Sequence, residues 1–198
     1  MSQPFQFLAN AAWLDFVNTE IGEGGTTRDL ICGLPDLVDW ASAARLVDEA
    51  EARRLLRSAD SEEARNGLAE ALGLRGLLAR IAHDLAHGDG PDEADLRGVN
   101  RVLASHPTLL SVSPKDGRWE VRSRPVDQGP GAIVALIAAD FGHFLEHADL
   151  SLVRHCEGKD CRLYFYDTSK NHKRRWCSME MCGNRAKVAE HRARRHAG

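Results

Sequence analysis

The sequence predicts an α+β fold, in which a mainly helical N-terminal domain with one β-hairpin, residues 1–149, precedes a small cysteine-rich module, residues 150–198. Three observations support this prediction. Apolar residues recur at helical spacing through most of the first part. One pair of short β-rich segments surrounds a turn, and four of the five cysteines lie near the C-terminus. At 198 residues the chain can form one sizeable core and a small appended module.

The first half of the N-terminal domain is predicted to be helical after a short buried segment. Apolar residues between 13 and 17 indicate burial without deciding the type of element, and the glycines of residues 22–27 indicate a loop. Helix-capping patterns then predict three helices: 36–46 starting at Asp36, 48–57, and a long helix that begins with a capping pattern at Asp60 and Glu63 and ends near residue 87.

The second half of this domain contains the predicted hairpin. Four elements are predicted: a helix over 92–105, strands over 108–112 and 118–122, and an apolar helix over 132–147. Turn residues at 114–117 join the two strands. The apolar helix is expected to lie across the core, and the domain boundary is predicted at 148–152.

The C-terminal cysteines form two pairs of identical spacing. Cys156 with Cys161, and Cys177 with Cys182, each enclose four residues, and fifteen residues separate the pairs. Four thiolates complete the tetrahedral coordination of Zn²⁺ and leave no open position, so the pattern predicts one structural zinc. The alternative is two disulfides, but no secretory signal is evident, and a reduced, cytoplasmic protein is therefore expected. The remaining cysteine, Cys32, is expected to be a small buried apolar residue.

The spacing also constrains the shape of the module. Residues five apart on an α-helix point about 140° apart, so the backbone must turn between Cys177 and Cys182. A basic helix is predicted to start at Asn184. Strand-like residues 163–166 and turn-like residues 167–171 lie between the two pairs. Knuckle, hairpin and helix in this order predict a small treble-clef zinc finger.

Residues 165–187 read FYDTSKNHKRRWCSMEMCGNRAK and resemble the CGNR zinc finger, whose name comes from the residues found here at 182–185. The run LDFVNT at 14–19 resembles the start of the ABATE domain that precedes this finger in the same family. The resemblance implies a stress-induced transcription regulator whose finger binds DNA and whose N-terminal domain binds a small-molecule ligand. The sequence departs from the family at Lys170, where arginine is expected; the charge is kept and the planar fork is lost.

Charge is divided unevenly along the chain. The net charge of -3 combines 14 Lys/Arg and 24 Asp/Glu in residues 1–150 with 12 and 5 in residues 151–198. Four thiolates on Zn²⁺ reduce the excess of positive charge in the module by about two. A basic end on an acidic body predicts that nucleic-acid contact is confined to this module. The alternative is that the basic helix docks on its own acidic body.

Double-stranded DNA is the predicted partner of the module. The candidate contacts belong to a basic run before the second cysteine pair and to the terminal helix: Lys170, Lys173, Arg174, Arg175, Asn184, Arg185, Lys187, Arg192, Arg194 and Arg195. Arg185 lies in the first helical turn, where groove-reading side chains often lie, and is expected to read a base. A single finger buries only about 600–1,000 Å² on DNA, so a homodimer formed through the N-terminal domain is expected. An RNA-binding factor and an adaptor for an acidic protein partner remain open.

The N-terminal domain offers weaker candidates. The family resemblance suggests that Asn18, Thr19 and Arg28 contact a small-molecule ligand, whereas the sequence itself slightly favours a cap or turn for Asn18 and Thr19. Two helical histidine pairs, His83 with His87 and His143 with His147, could bind a second metal, but histidine is also favoured near helix C-termini. No catalytic motif is recognised, so no enzyme is expected. No run of about 18 apolar residues occurs, so no membrane partner is expected.

Overall fold

Six helices and two hairpins build the N-terminal part of the protein. The computed structural model describes residues 5–23, 26–57, 59 and 61–196, except for the side chains at 23, 122, 123, 191 and 193–196. The helices are α1 (Ala12–Val17), α2 (Leu34–Ala43), α3 (Glu49–Leu56), α4 (Glu62–His87), α5 (Glu93–Ser105) and α6 (Gly131–His147). The strands are β1 (Glu20–Glu23), β2 (Thr26–Asp29), β3 (Thr108–Lys115) and β4 (Arg118–Pro125). The fold class and the predicted helices are confirmed.

Side-chain caps determine where the helices begin. Asp48 and Asp92 cap α3 and α5, as the sequence predicts. The Asp36 carboxylate accepts hydrogen bonds from the backbone N–H groups of Cys32 and Gly33, so α2 starts two residues earlier than predicted. Ser61 caps α4 by accepting from the Ala64 N–H at 3.0 Å; the predicted capping residue Asp60 lies outside the described residues.

The predicted hairpin is confirmed, and a second one replaces a predicted loop. Asp116 and Gly117 both have positive φ, which gives β3 and β4 a tight two-residue turn. Strands β1 and β2 pair antiparallel from Glu20 with Asp29 to Glu23 with Thr26. The sequence signal for this second hairpin is weak because its strands have four residues each and surround a glycine-rich tip.

The core lies around the short helix α1. Trp13 makes an edge-to-face contact with Phe141 of α6, with ring centroids 5.1 Å apart, and Phe16 packs on Trp40 of α2. All four rings are fully buried, and α4 packs against both α1 and α6. Cys32, expected inside, is instead exposed in front of α2, because the hydrogen bonds of its backbone to Asp36 leave its side chain outside the core.

The C-terminal part continues the same core. A 3₁₀ turn (Leu150–Leu152) leads into strand β5 (Val153–His155), which pairs antiparallel with β6 (Tyr164–Tyr166). A π-helical turn (Met179–Gly183) follows, and then helix α7 (Asn184–His196), which starts at the predicted residue. Phe165 of β6 is fully buried in the cluster that also holds the α1 side chains. Among the described residues, no helix combines the length and apolarity needed to cross a membrane.

Candidate metal centre and nucleic-acid interface

The four predicted cysteines converge on one point. Cys177 Sγ lies 3.6 Å from Cys182 Sγ and 3.9 Å from Cys161 Sγ, and all four sulfurs lie within 4.8 Å of one another. Zn–S bonds of about 2.3 Å in a tetrahedron require sulfur separations of about 3.8 Å. The cysteines are free thiols, so the disulfide alternative is wrong. The site fits one structural Zn²⁺, as predicted.

The first cysteine pair lies in the loop that joins β5 to β6. Cys156 Sγ accepts hydrogen bonds from the N–H groups of Gly158 at 3.4 Å and Cys177 at 3.2 Å. A Cβ on Gly158 would approach Cys182 Sγ to 2.7 Å, which no packed structure tolerates. Glycine is therefore required here for the close approach of the loop to the opposite ligand.

A π-helical turn between Cys177 and Cys182 lets these two cysteines point at the same metal, although they are five residues apart. Ser178 caps this turn through its side chain, which accepts from the Met181 N–H at 3.0 Å. The N–H of Gly183 reaches back five residues to the Ser178 carbonyl at 3.0 Å, as in a π-helix. This wider turn lets Cys177 and Cys182 face the same point, which a regular α-helix would not permit.

The crowded sulfurs require a cation. Without metal, hydrogen bonds from Cys161 and Cys177 lower the pKa of the Cys156 thiol, while the same contact with Cys156 raises the pKa of Cys161 to about 12. Only part of the set can therefore ionise without a metal. Arg185 supplies one fixed positive charge: its guanidinium donates to Cys182 Sγ at 3.2 Å and to the Met181 carbonyl at 2.6 Å. This contact also raises the pKa of Arg185.

The predicted DNA contacts do not form one uniform group. The exposed members whose side chains the structure describes are Lys170, Lys173, Arg175, Asn184, Arg185, Lys187 and Arg192. Arg194 and Arg195 belong to α7, but their side chains lie outside the described residues. Arg175 pairs with Glu157 at 2.6 Å and stacks on Trp176. The described side chains of α7 are all exposed except Ala186, so the alternative of docking on the acidic body finds no support there.

Arg174 differs from its neighbours because it faces inward. Its guanidinium stacks 4.2 Å from the Phe165 ring centroid. It donates to the carbonyls of Trp176, Cys177 and Leu8, with the Leu8 contact at 2.9 Å. These contacts leave Arg174 bridging the second zinc-ligand segment and the N-terminal segment. Arg174 is therefore not one of the exposed basic side chains of this loop.

Asp167 organises the basic loop, a role that the turn-like composition of residues 167–171 did not reveal. This fully buried carboxylate accepts from the Ser169 N–H at 2.9 Å, the Ser169 hydroxyl at 2.6 Å and the Arg174 N–H at 2.9 Å. Burial alone would raise the pKa of Asp167, but these hydrogen bonds lower it below its usual value. The Asp-x-Ser pattern after a strand, typical of an Asx turn, is the signal that could have identified it.

The three candidate ligand-binding residues of the N-terminal domain differ in their contacts. The Asn18 side chain exchanges two hydrogen bonds with the Tyr164 backbone, at 2.7 and 2.8 Å. The Thr19 hydroxyl donates to the Phe16 carbonyl and accepts from Arg75, which also pairs with Asp29. Arg28 is exposed on β2. The polar groups of Asn18 and Thr19 are thus already occupied within the protein, as the cap-or-turn alternative expects.

A cavity of about 200 Å³ lies next to these residues, between the two parts of the chain. Its polar lining comes from the N-terminal side through Glu20 and Arg75, and from the C-terminal side through His155, Arg162 and Tyr164. Arg162 lies 3.8 Å from the Glu20 carboxylate. Partial desolvation lowers the pKa of His155, although the residue is exposed to solvent on one side of the cavity.

The histidine pairs behave as helix-end residues. His87 Nδ1 lies 2.7 Å from the His83 carbonyl, and His147 Nδ1 lies 2.9 Å from the His143 carbonyl. His143, Glu146 and His147 could present three metal ligands, but all three are exposed. Their backbone contacts favour the helix-end explanation over a second metal site.

Comparison with known families agrees with this geometry. Residues 10–148 match the family ABATE, described as "Putative stress-induced transcription regulator". Residues 153–195 match the CGNR zinc finger. No curated protein was found that matches the chain.

Proposed function

Because the chain belongs to the ABATE family and carries a C-terminal CGNR zinc finger, we propose that it is a DNA-binding transcription regulator without catalytic activity. It would act as a homodimer in the cytoplasm, where free thiols remain reduced and available for zinc. The stress response implied by the family name would be transmitted from the N-terminal domain to the finger. Zinc here has a structural role, since four thiolates leave no open coordination position.

The observation that carries the proposal is the exposure of a basic helix attached to the zinc site. Lys187 and Arg192 of α7 are exposed, and so are Lys170 and Lys173 of the loop before the second cysteine pair. Glu157 raises the pKa of Arg175, and Glu190 of α7 adds to this effect, so α7 lies near the end of the loop. An exposed helix with basic neighbours is suited to a DNA major groove and its phosphates.

Rigidity of the loop adds to this support. Asp167 fixes the turn that carries Lys170 and Lys173, and Arg174 fixes the end of that turn against the finger. Phosphate-contacting side chains on a preformed loop lose less conformational entropy on binding than side chains on a mobile one. We therefore assign Lys170 and Lys173 to phosphate contacts, and α7 to the groove.

Binding of duplex DNA across a salt series tests the proposal. With about five phosphate contacts, log affinity should fall with log salt at a slope of about -4 to -5, and Lys173→Ala should reduce that slope by about one on all sequences alike. Arg97→Ala on α5 removes the same charge from the N-terminal part and should leave the slope unchanged. Zinc-loaded protein that binds no duplex at low salt would contradict the proposal.

The two alternatives make different predictions in the same assay. An RNA-binding factor would prefer structured RNA over duplex DNA at equal salt concentration, and Tyr166 or Trp176 could then stack on a base. An adaptor for acidic proteins would bind polyanionic peptide without preference among duplex sequences. The combination of a groove-sized exposed helix and a fixed basic loop favours DNA.

For the small-molecule ligand we propose the cavity between the two parts rather than Asn18 and Thr19. Its lining combines residues of the ABATE domain and of the finger, so a ligand there would contact both. A volume of about 200 Å³ is small compared with drug-sized pockets, which favours a small polar metabolite. Tyr164→Trp, which fills the cavity, should abolish any response of DNA affinity to such a metabolite while leaving zinc bound.

A further inference from the structure

Strands β3 and β4 form an isolated two-stranded sheet whose two faces differ in polarity. Directly opposed residues of an antiparallel pair share a face. Val112 opposes Val121, Pro114 opposes Trp119 and Leu110 opposes Ser123. This first face, the apolar face, carries no charged residue in the register from Thr108 with Pro125 to Pro114 with Trp119.

The second face is mainly polar, with Leu109 as its large apolar residue, and one part of it lies toward the body of the protein. It pairs Lys115 with Arg118 and Ser113 with Glu120 in the same register. Glu120 and Arg124 line a cavity together with Arg45 and Asp48, at the connection between α2 and α3. Ser113 and Glu120 of this face are partly buried, whereas Leu109, Ser111, Lys115, Arg118 and Arg124 are exposed. The body therefore covers only part of the second face, and the apolar face is exposed.

An exposed apolar face of this kind is unusual in a monomeric protein. A half-buried antiparallel sheet normally packs its apolar face on the core and exposes its polar face. Here Leu110 is 73 % exposed, Val112 66 %, Trp119 77 % and Val121 63 %. Together these side chains expose on the order of 500 Å² of apolar surface, a patch of the size that marks interaction sites. An isolated two-stranded hairpin is also only marginally stable in water.

We infer that the apolar face of this hairpin is the homodimer interface, in which it packs against the same face of a second copy. Two copies would remove about 1,000 Å² of apolar side-chain surface, near the lower limit of specific interfaces before flanking residues are counted. Because the face carries no charge, a self-association through it buries no ion, and the cations of the polar face point away from each other. A charged partner would find no complementary group there.

The inference rests on the homodimer of the proposed function and assigns its surface. It places the contact on the N-terminal domain and outside the finger. In an isologous contact the same patch serves both copies, so one substitution acts twice. DNA binding by the finger does not depend on this contact in a low-salt assay, which keeps the two hypotheses separable.

The test is the solution mass of the zinc-loaded full-length protein, measured by light scattering over a dilution series. Wild type should show twice the 21.8 kDa of one chain. Val112→Glu should raise the dimer dissociation constant by roughly 30-fold or more, as expected for a residue central to an interface. Ser111→Glu is the matched control, because the same charge is introduced at the neighbouring exposed position on the opposite face, and it should leave the dimer intact.

A second measurement follows Trp119 directly and does not depend on a destabilising variant. The fluorescence difference between wild type and Trp119→Phe isolates this side chain, because the other three tryptophans, Trp13, Trp40 and Trp176, are present in both proteins. Acrylamide should quench the Trp119 fluorescence obtained from this difference more strongly on dilution, because Trp119 becomes exposed as the dimer dissociates. Quenching that stays constant while the mass falls from dimer to monomer would overturn the inference.

Three other results would overturn it. A dimer that persists in Val112→Glu would leave the homodimer standing and assign it to another surface. A wild-type monomer that still binds duplex DNA would remove the homodimer and keep the DNA-binding function. A monomer that binds vesicles containing phosphatidylserine, and loses this binding in Val112→Glu, would assign the apolar face to a membrane.

Discussion

Single side chains determine the chemistry of the zinc site beyond its four ligands. Arg185 was expected to read a base, but its guanidinium is hydrogen-bonded to Cys182 Sγ and the Met181 carbonyl. A partner of a metal ligand at this distance stabilises the thiolate and orients it. The positive charge of Arg185 therefore acts mainly on the Cys182 thiolate of the zinc site.

Arg185→Ala should accelerate zinc release to a chelator by roughly 10-fold or more, because partners of metal ligands typically contribute about 10–100-fold in affinity. Lys187→Ala is the control, since it removes a positive charge from the same helix and leaves the contact with Cys182 in place. Release is measured by a zinc-sensitive dye under excess chelator. Equal rates in wild type and Arg185→Ala would show that the hydrogen bond does not stabilise the bound metal.

Asp15 makes stability depend on pH. Burial raises the pKa of this carboxyl from 3.8 to about 6, although N–H groups of Ala9 and Leu8 donate to it; Asp140 raises it further and Arg174 lowers it. The protonated Asp15 carboxyl therefore stabilises the folded state fully below pH 3.8, the pKa of this group in the unfolded chain. This stabilisation is lost as the pH rises through 6, the pKa of the group in the folded state.

The measurement is urea unfolding of wild type and Asp15→Asn at several pH values. Between about pH 4 and pH 7 the wild type should lose about 2–3 kcal/mol relative to Asp15→Asn, whose amide oxygen can still accept both N–H groups. Asp140 is present in both proteins, so its own titration largely cancels in the comparison. A difference that stays constant over this range would mean that Asp15 titrates near its ordinary pKa.

Residue-level differences also show what the sequence could predict. Cysteine spacing predicted the metal site because thiolate number and tetrahedral geometry restrict the possibilities. The run Lys173-Arg174-Arg175 did not reveal that Arg174 alone turns inward, because its partners Leu8 and Phe165 are brought to it only by the tertiary fold. The sequence slightly favoured a cap or turn at Asn18 over a ligand contact, and its actual partner, Tyr164, lies 146 residues away.

Among the secondary-structure elements, strand β6 connects the two parts of the molecule. It pairs with β5 on one edge, and residues of the N-terminal segment satisfy the other. The Ala9 carbonyl accepts from the Tyr166 N–H at 2.8 Å, and Asn18 exchanges hydrogen bonds with Tyr164. A strand edge covered in this way presents few free backbone groups to another chain.

Asn18→Asp should destabilise the protein by about 1–3 kcal/mol, because it removes the donor to the Tyr164 carbonyl and places a buried negative charge beside that oxygen. Asn10→Asp removes an analogous donor to the Tyr166 carbonyl at an exposed position and should cost less. Thermal or urea unfolding measures both. Equal losses for the two variants would contradict the role of burial in this contact.

The elements themselves were predictable to different degrees. Long amphipathic helices with acidic or hydroxyl caps, such as α4 and α5, were recognised because periodicity and caps agree. The hairpin of β1 and β2 was not, because four-residue strands are too short to show alternation. Local composition indicated a hairpin between the two cysteine pairs. In the structure, β5 pairs with β6 instead, and the first cysteine pair lies in the loop between these strands.

For the whole molecule, the two family domains share one hydrophobic core. The domain boundary predicted at 148–152 stays a prediction, but Val153 and Phe165 are fully buried against the N-terminal helices. Each large apolar side chain removed from such a core costs about 1.5–3 kcal/mol. A fragment of residues 1–149, which lacks these two side chains, should therefore be less stable than the full-length protein by about 3–6 kcal/mol. Urea unfolding measures the free energy of unfolding of each protein. Equal values for the fragment and the full-length protein would contradict the shared core.

The contact between the first and the last parts of the chain has a consequence for protein synthesis. Leu8 and Arg174 are hydrogen-bonded across 166 positions of sequence, so the N-terminal segment leaves the ribosome long before its partner does. At about 5–20 residues per second, this interval lasts on the order of 10–30 s. Trp13 and Phe16 cannot be fully enclosed during that time, so the nascent chain is exposed to chaperones and to aggregation until translation is nearly complete.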